Sequence, residues 1–165
     1  MHEDADGLAR DLEPVSLRPG RRLTSEIAAY TRPVPVPEHT ERVRVTWFDT
    51  DAGGCIHTTA ALRYAEAAES GLLRRLDLLE GWGNYPRRRV EAEYHVLPRF
   101  EDEVDVRIWP ERLGNTSITW RWEIRRGAEK CVEGTMVAVG VDNEGRPTPL
   151  PPAVRERLGD GGLPA

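Results

Sequence analysis

Residues 41–80 read ERVRVTWFDTDAGGCIHTTAALRYAEAAESGLLRRLDLLE. At its start Val43, Val45 and Trp47 alternate with Arg42, Arg44 and Thr46. That period of two predicts a strand with one buried face. Asp49-Thr-Asp-Ala-Gly-Gly54 then breaks the alternation with acids and paired glycines, a loop whose backbone can turn sharply. From Thr59 to Glu80 the period changes. Ala61, Ala65, Ala68, Leu72, Leu76 and Leu79 recur every three or four residues, the stripe of an amphipathic helix lying on a sheet. Thr58 or Thr59 is placed to cap its start, and Gly81 to cap its end. Alanines lead the stripe and leucines finish it. The helix should therefore approach other backbone closely at its start and pack by bulk at its end.

Four more strand patterns follow. Val90, Ala92, Tyr94 and Val96 alternate with charged neighbours, as do Val104, Val106 and Ile108. Ile118, Trp120, Trp122 and Ile124 form a third alternating set, and Cys131 to Val141 a fourth. Gly114-Asn115 and Arg126-Gly127 supply turns, so the last three strands read as an antiparallel meander. Strand, long helix, then four strands is α+β, with one helix against a curved five-stranded antiparallel sheet.

Composition limits the chain's size and surroundings. It has 165 residues and 18.6 kDa, with 23 basic against 28 acidic side chains. A net charge of −5 argues against a general phosphate-backbone binder of nucleic acid. No apolar run approaches the roughly 20 residues that span a bilayer, and the first thirty residues lack the apolar core of a signal peptide. Two cysteines in unlike contexts make neither a disulfide framework nor a zinc spacing, so a cytoplasmic setting is expected. Ten of the 13 prolines fall within residues 1–40 and 147–165. Proline is excluded from element interiors. The expected organisation is an N-terminal extension over 1–40, a folded domain over 41–145 and a C-terminal tail over 146–165. A domain so small buries a limited share of its surface, which favours association with a second copy.

The chemistry concentrates in Asp49 to His57, between strand and helix. Backbone N–H groups in a first helical turn have no internal partner, and with the helix dipole they can polarise a carbonyl oxygen. A carboxylate opposite could attack that carbonyl or deprotonate water. Gly53 and Gly54 allow backbone to approach a ligand. This reads as acyl transfer or ligand binding. The equally weighted alternative is that Asp49 and Asp51 only make turn hydrogen bonds.

Asp49-Thr-Asp-Ala-Gly-Gly54 after an alternating strand, followed by a helix carrying Tyr64-Ala-Glu-Ala67, resembles the hotdog-fold acyl-CoA thioesterases. The 4-hydroxybenzoyl-CoA thioesterase family is nearest, with the bacterial thioesterase group encoded alongside the Tol-Pal system. The resemblance runs from about residue 41 to 145. It implies a hotdog fold, a thioester hydrolase, and Asp51 as nucleophile or general base. It also implies that an amide near Thr58 holds the substrate carbonyl. Gly53, Gly54 and the turn Gly114-Asn115-Thr116-Ser117, with Arg99 and Arg112 nearby, are implied to bind substrate. The implied substrate is an acyl-CoA or an acyl carrier protein thioester. Coenzyme A or phosphopantetheine enters only as part of that substrate, and no metal or other cofactor is required. The implied assembly is a homodimer with sites at its interface, paired again in some members into a tetramer.

The departures from the pattern are local. The Tol-Pal-associated group carries an aromatic, a histidine and then a tyrosine after the loop, whereas this chain reads His57-Thr-Thr-Ala-Ala61. His57 is one place early and Ala61 takes the tyrosine position, which implies a differently shaped acyl pocket. His57 is either a water-orienting group or a side chain satisfied at a helix start. Glu66 is a second candidate base and otherwise a structural acid at a dimer contact. Cys55 reads as a small packed residue, and Asp49 with Asp51 offers too few oxygens for a dedicated cation site. Trp120 and Trp122 read as core or interface rather than as a stacking platform for bases. A non-catalytic acyl-binding or assembly subunit of the same fold is the alternative function.

Overall fold

A computed structural model describes residues 36–159 apart from Gly81. The N-terminal extension up to residue 35, and residues 160–165, lie outside the described residues. The elements in order are β1 (His39–Arg44), α1 (Thr58–Arg75), β2 (Arg87–Tyr94), β3 (Glu103–Leu113), β4 (Ser117–Arg126), β5 (Glu129–Val139) and α2 (Pro152–Leu158). The strands form one antiparallel sheet in the order β1-β3-β4-β5-β2. α1 packs on one face of this sheet. The expected α+β architecture, a hotdog fold with a long helix against five antiparallel strands, is what the chain adopts.

The inner face carries the alternating apolar set. Val104, Val106 and Ile108 of β3, with Ile118, Trp120, Trp122 and Ile124 of β4, are fully or almost fully buried against α1. The alanines of α1 let it settle close. Ala60, Ala61, Ala65 and Ala68 have no exposed surface, and Leu72 and Leu73 close the core below them. Trp122 leaves no room opposite. A Cβ on Gly134, its partner in β5, would lie 2.5 Å from the indole and 2.2 Å from the Glu91 carbonyl.

Four expectations about boundaries are corrected. β1 ends at Arg44, and Trp47–Asp49 form a single 3-10 turn, so Trp47 is 70% exposed rather than part of a buried strand face. The helix ends at Arg75, well short of Glu80 and Gly81. Asp77 takes the left-handed conformation (φ 53°), with Asp77 N–H donating to Arg74 and Leu78 N–H to Leu73. That is the two-bond helix stop usually built on glycine, and aspartate tolerates it. The N-cap is His57 rather than Thr58 or Thr59, because its ring nitrogen accepts the Thr59 N–H. Finally, the stretch expected as a tail carries α2. Leu150, Val154 and Leu158 recur every four residues and are buried in the core.

Both edge strands are paired on one side only among the described residues, β1 with β3 over its whole length. β2 hydrogen-bonds to β5 on one side, and its other side has no strand among the described residues. Both of its faces are open through most of its length, and Val90 on the inner face is 41% exposed. The one-sided burial expected from its alternation is not achieved within a single chain.

Candidate active site

The two acids of the loop have different surroundings. Asp49 closes the 3-10 turn. Its Oδ2 accepts from the Thr46 hydroxyl (2.5 Å) and N–H (3.3 Å), and its Oδ1 accepts from Arg63 of α1 (2.8 Å). Its backbone carbonyl accepts the His57 N–H at 2.7 Å. Burial acts to raise the Asp49 carboxyl. The bonds from Thr46 and Arg63, with the adjacent Tyr64 phenol, outweigh that and hold it below the usual carboxylate range. The Tyr64 hydroxyl is itself buried without a well-formed hydrogen bond, and burial together with the neighbouring carboxylate pushes its ionisation well up. Asp49 is thus a brace between strand, loop and helix.

Asp51 is exposed at the tip of the same loop. Its Oδ1 accepts from the N–H of Gly53 (2.8 Å) and of Cys55 (3.3 Å), while Oδ2 has no partner among the described residues. Gly54 follows with φ 71°, the left-handed conformation that lets the loop fold back. Ile56 N–H donates to Pro98 and Cys55 pairs with Arg99, so the loop is seated on the bend between β2 and β3. Arg99 therefore lies beside the acid loop.

His57 takes two of the orphan amides in the first turn of α1. The Thr59 N–H goes to the His57 ring (3.2 Å) and the Ala60 N–H to the His57 carbonyl (2.8 Å). The Thr58 N–H is left without a partner among the described residues. In the next peptide plane, the Tyr94 hydroxyl donates to the carbonyl of the same residue, Thr58, at 2.9 Å. Tyr94 was not singled out from the sequence. Its position at the inward end of an alternating strand was the only signal. His57 Nδ1 accepts the Thr59 N–H, which fixes the imidazole at the helix start.

Glu66 lies two turns along α1 and pairs with Arg87 of β2 at 3.3 Å. It is half-exposed and not buried. The buried acid is its neighbour Glu69, 3% exposed, which Arg87 holds through both guanidinium nitrogens. Burial pushes the Glu69 carboxyl up despite that pairing. Burial also pushes the Cys131 thiol up, consistent with a packed, unreactive residue. Glu93, His95 and Glu133 cluster on β2 and β5 with ligand-type atoms within 4.8 Å, but Arg121 and Lys130 already neutralise Glu133.

The remaining predicted residues sit elsewhere. Arg112, Gly114, Asn115, Thr116 and Ser117 occupy the end of β3 and the turn into β4, the opposite end of the sheet from the acid loop. Two bulges shape that end. One falls between Arg87 and Arg89, the other between Pro110 and Arg112. A bulge re-aims side chains that strict alternation would send to opposite faces. Arg87 turns in to Glu69, while Arg88, Arg89 and Arg112 line one 420 Å³ cavity with Thr116 and Ser117. The side chains of Arg88 and Arg112 have no hydrogen-bonding or ion-pair partner among the described residues. The sequence reading missed Arg88 and Arg89 because a period of two cannot anticipate a bulge.

Comparison with known proteins agrees with this fold. A thioesterase superfamily model matches residues 53–133. The chain is 31% identical to a thioesterase from Thermus thermophilus crystallised with coenzyme A and zinc. That match has a TM-score of 0.66 and covers 73% of this chain and 90% of that one. A predicted thioesterase from Bacillus stearothermophilus is 27% identical, with a TM-score of 0.68 and coverage of 78% and 99%. A 1,4-dihydroxy-2-naphthoyl-CoA thioesterase from Synechocystis shares the fold at 17% identity, with a TM-score of 0.67 and coverage of 73% and 95%. No curated protein sequence matches the chain. With the acid-glycine loop, the helix start and the five-stranded sheet in place, the chain belongs to the thioesterase superfamily, whose reaction is thioester hydrolysis.

Proposed function

We propose that the protein hydrolyses acyl-CoA thioesters, with Asp51 as nucleophile or general base and the Thr58 N–H as the donor to the thioester oxygen. The observation that carries this reading is the Thr58 amide. It has no partner among the described residues, whereas His57 takes the Thr59 and Ala60 amides, and it follows the loop that presents Asp51. A preorganised N–H at a helix start stabilises negative charge developing on a carbonyl oxygen. Asp51, with one oxygen held by two loop amides and the other unengaged, is oriented yet available. Asp49, fully engaged, has the bracing role.

The cavity carrying Arg88 and Arg112 favours coenzyme A as the carrier, since two unpaired guanidiniums suit the phosphates of its nucleotide. Within one chain that cavity and Asp51 belong to opposite ends of β2, about 20 Å apart along the strand. Pairing through the open edge of β2 would remove the separation. Antiparallel pairing of two β2 strands about a two-fold axis would bring the arginine end of one copy beside the Tyr94 end of the other. It would also cover Val90. A homodimer with two composite sites is the assembly this reading requires.

Asp51→Asn keeps the Oδ1 acceptor for the loop amides, so fold and assembly should survive while turnover falls at least about a thousandfold. The test measures turnover of acyl-CoA, acyl-pantetheine and acyl carrier protein side by side, with sedimentation of the same samples. Near wild-type turnover by Asp51→Asn on the preferred thioester would remove Asp51 from the mechanism. A preference for the carrier protein over acyl-CoA would overturn the choice of substrate.

A further inference from the structure

The turn from Gly114 to Ser117 has every carbonyl engaged. Gly114 O accepts from Arg155 at 2.8 Å, and Asn115 O accepts from Arg155 (2.8 Å) and from the Leu150 N–H (2.9 Å). Thr116 O accepts from the Gly140 N–H and Ser117 O from the Gly114 N–H, each at 2.8 Å. The N–H groups of Asn115 and Thr116, in contrast, have no partner among the described residues. A turn with tied carbonyls and spare amides presents partial positive charge, the arrangement that binds anions. It borders the cavity that Arg88 and Arg112 line.

Two of those carbonyl bonds come from one side chain of α2. Leu150, Val154 and Leu158 anchor that segment in the core, and Arg155 beside Val154 reaches the turn. Without the guanidinium, the Gly114–Asn115 peptide could rotate. Rotation would exchange an outward N–H for an outward C=O, turning an attraction for anions into a repulsion.

We propose that Arg155 is a positioning residue for phosphate recognition, locking the Gly114–Ser117 turn with its amides free for the nucleotide phosphates of the substrate. The proposal rests on the acyl-CoA reading above. It makes the C-terminal helix part of the substrate-binding apparatus, although α2 supplies no group to the reacting thioester.

The test uses the full chain carrying Arg155→Leu or Arg155→Lys. Adenosine 3′,5′-bisphosphate binding is measured by calorimetry, and KM and kcat are measured for acyl-CoA and for acyl-pantetheine, which lacks the nucleotide. Arg155→Leu should weaken the bisphosphate and raise KM for acyl-CoA, each roughly tenfold, as expected for a lost charge-assisted hydrogen bond. KM for acyl-pantetheine and both kcat values should stay within about twofold, and Arg155→Lys should restore part of the affinity. Unchanged bisphosphate affinity in folded Arg155→Leu overturns the proposal. So does an equal rise in KM for both thioesters, or loss of the fold in both variants. Arg88→Ala with Arg112→Ala separates the two layers. If that pair leaves bisphosphate binding unchanged, the phosphate subsite itself is wrong. If it weakens binding and Arg155→Leu does not, only the brace is wrong.

Discussion

The Tyr94 hydroxyl, at the end of the open edge strand, donates a 2.9 Å hydrogen bond to the carbonyl of Thr58, the first residue of α1. One residue thus couples the free edge of the sheet to the peptide plane whose neighbouring N–H is the proposed oxyanion donor. Tyr94→Phe removes the bond and keeps the ring. We expect kcat to fall roughly three- to tenfold with KM within about twofold, and stability to fall by about 1 kcal/mol. Steady-state kinetics and thermal unfolding of the variant decide it. An unaltered kcat would detach Tyr94 from catalysis.

Gly134 is fixed by contact, since any Cβ there meets both the Trp122 indole and the Glu91 carbonyl. Gly134→Ala should destabilise the fold by about 2 kcal/mol or more, in the range of overpacked cores. Because Glu91 belongs to β2, the same change should loosen the edge strand and weaken self-association. Urea unfolding monitored with sedimentation at several concentrations reads both effects. A variant as stable as the parent would mean that the β5–β2 ladder yields more easily than this geometry allows.

Acid should unfold the protein over a defined window. Hydrogen bonds from His95, Lys130 and Arg121 hold the Glu133 carboxyl down to about 2, and Asp49 is held below its usual range. Both groups ionise more readily folded than unfolded. Their contribution is complete above the unfolded carboxylate range, near pH 4–4.5, and is lost as pH falls toward 2. The melting temperature should be flat in this respect from pH 7 to about 5 and then decline. Glu133→Gln should make the decline shallower. An identical acid limb in parent and variant would show that Glu133 plays no part.

Most of the architecture was legible in residue spacing. The valine, isoleucine and tryptophan alternations of β3 and β4 placed the inner face correctly, because both strands are central and each has one face on the helix. The same rule failed for β2, where one-sided burial needs a surface that this chain alone does not provide. Helix ends were misjudged because caps depend on local hydrogen bonds. His57 and Asp77 fill the roles assigned to a threonine and a glycine. Near the site, the acid-glycine loop was visible as a motif, but the division of labour between Asp49 and Asp51 was not. That division follows from Arg63 and Thr46 meeting one carboxylate and backbone amides meeting the other. Arg88 and Arg155 escaped notice for related reasons, one displaced by a bulge and one lying in a segment dismissed for its prolines.

Arg157, on the last turn of α2, donates to the carbonyls of Leu76 and Asp77 where α1 stops, a contact spanning 80 residues or more of sequence. This sets a schedule for synthesis on the ribosome. Contacts between such distant segments cannot form until the later one has been made. The leucine-rich end of α1 must wait, unsealed, until residue 158 has left the exit tunnel. A nascent chain of this protein is therefore most exposed to chaperones and to premature self-association late in translation, after the sheet-forming segments are complete and before the short helix that closes over them.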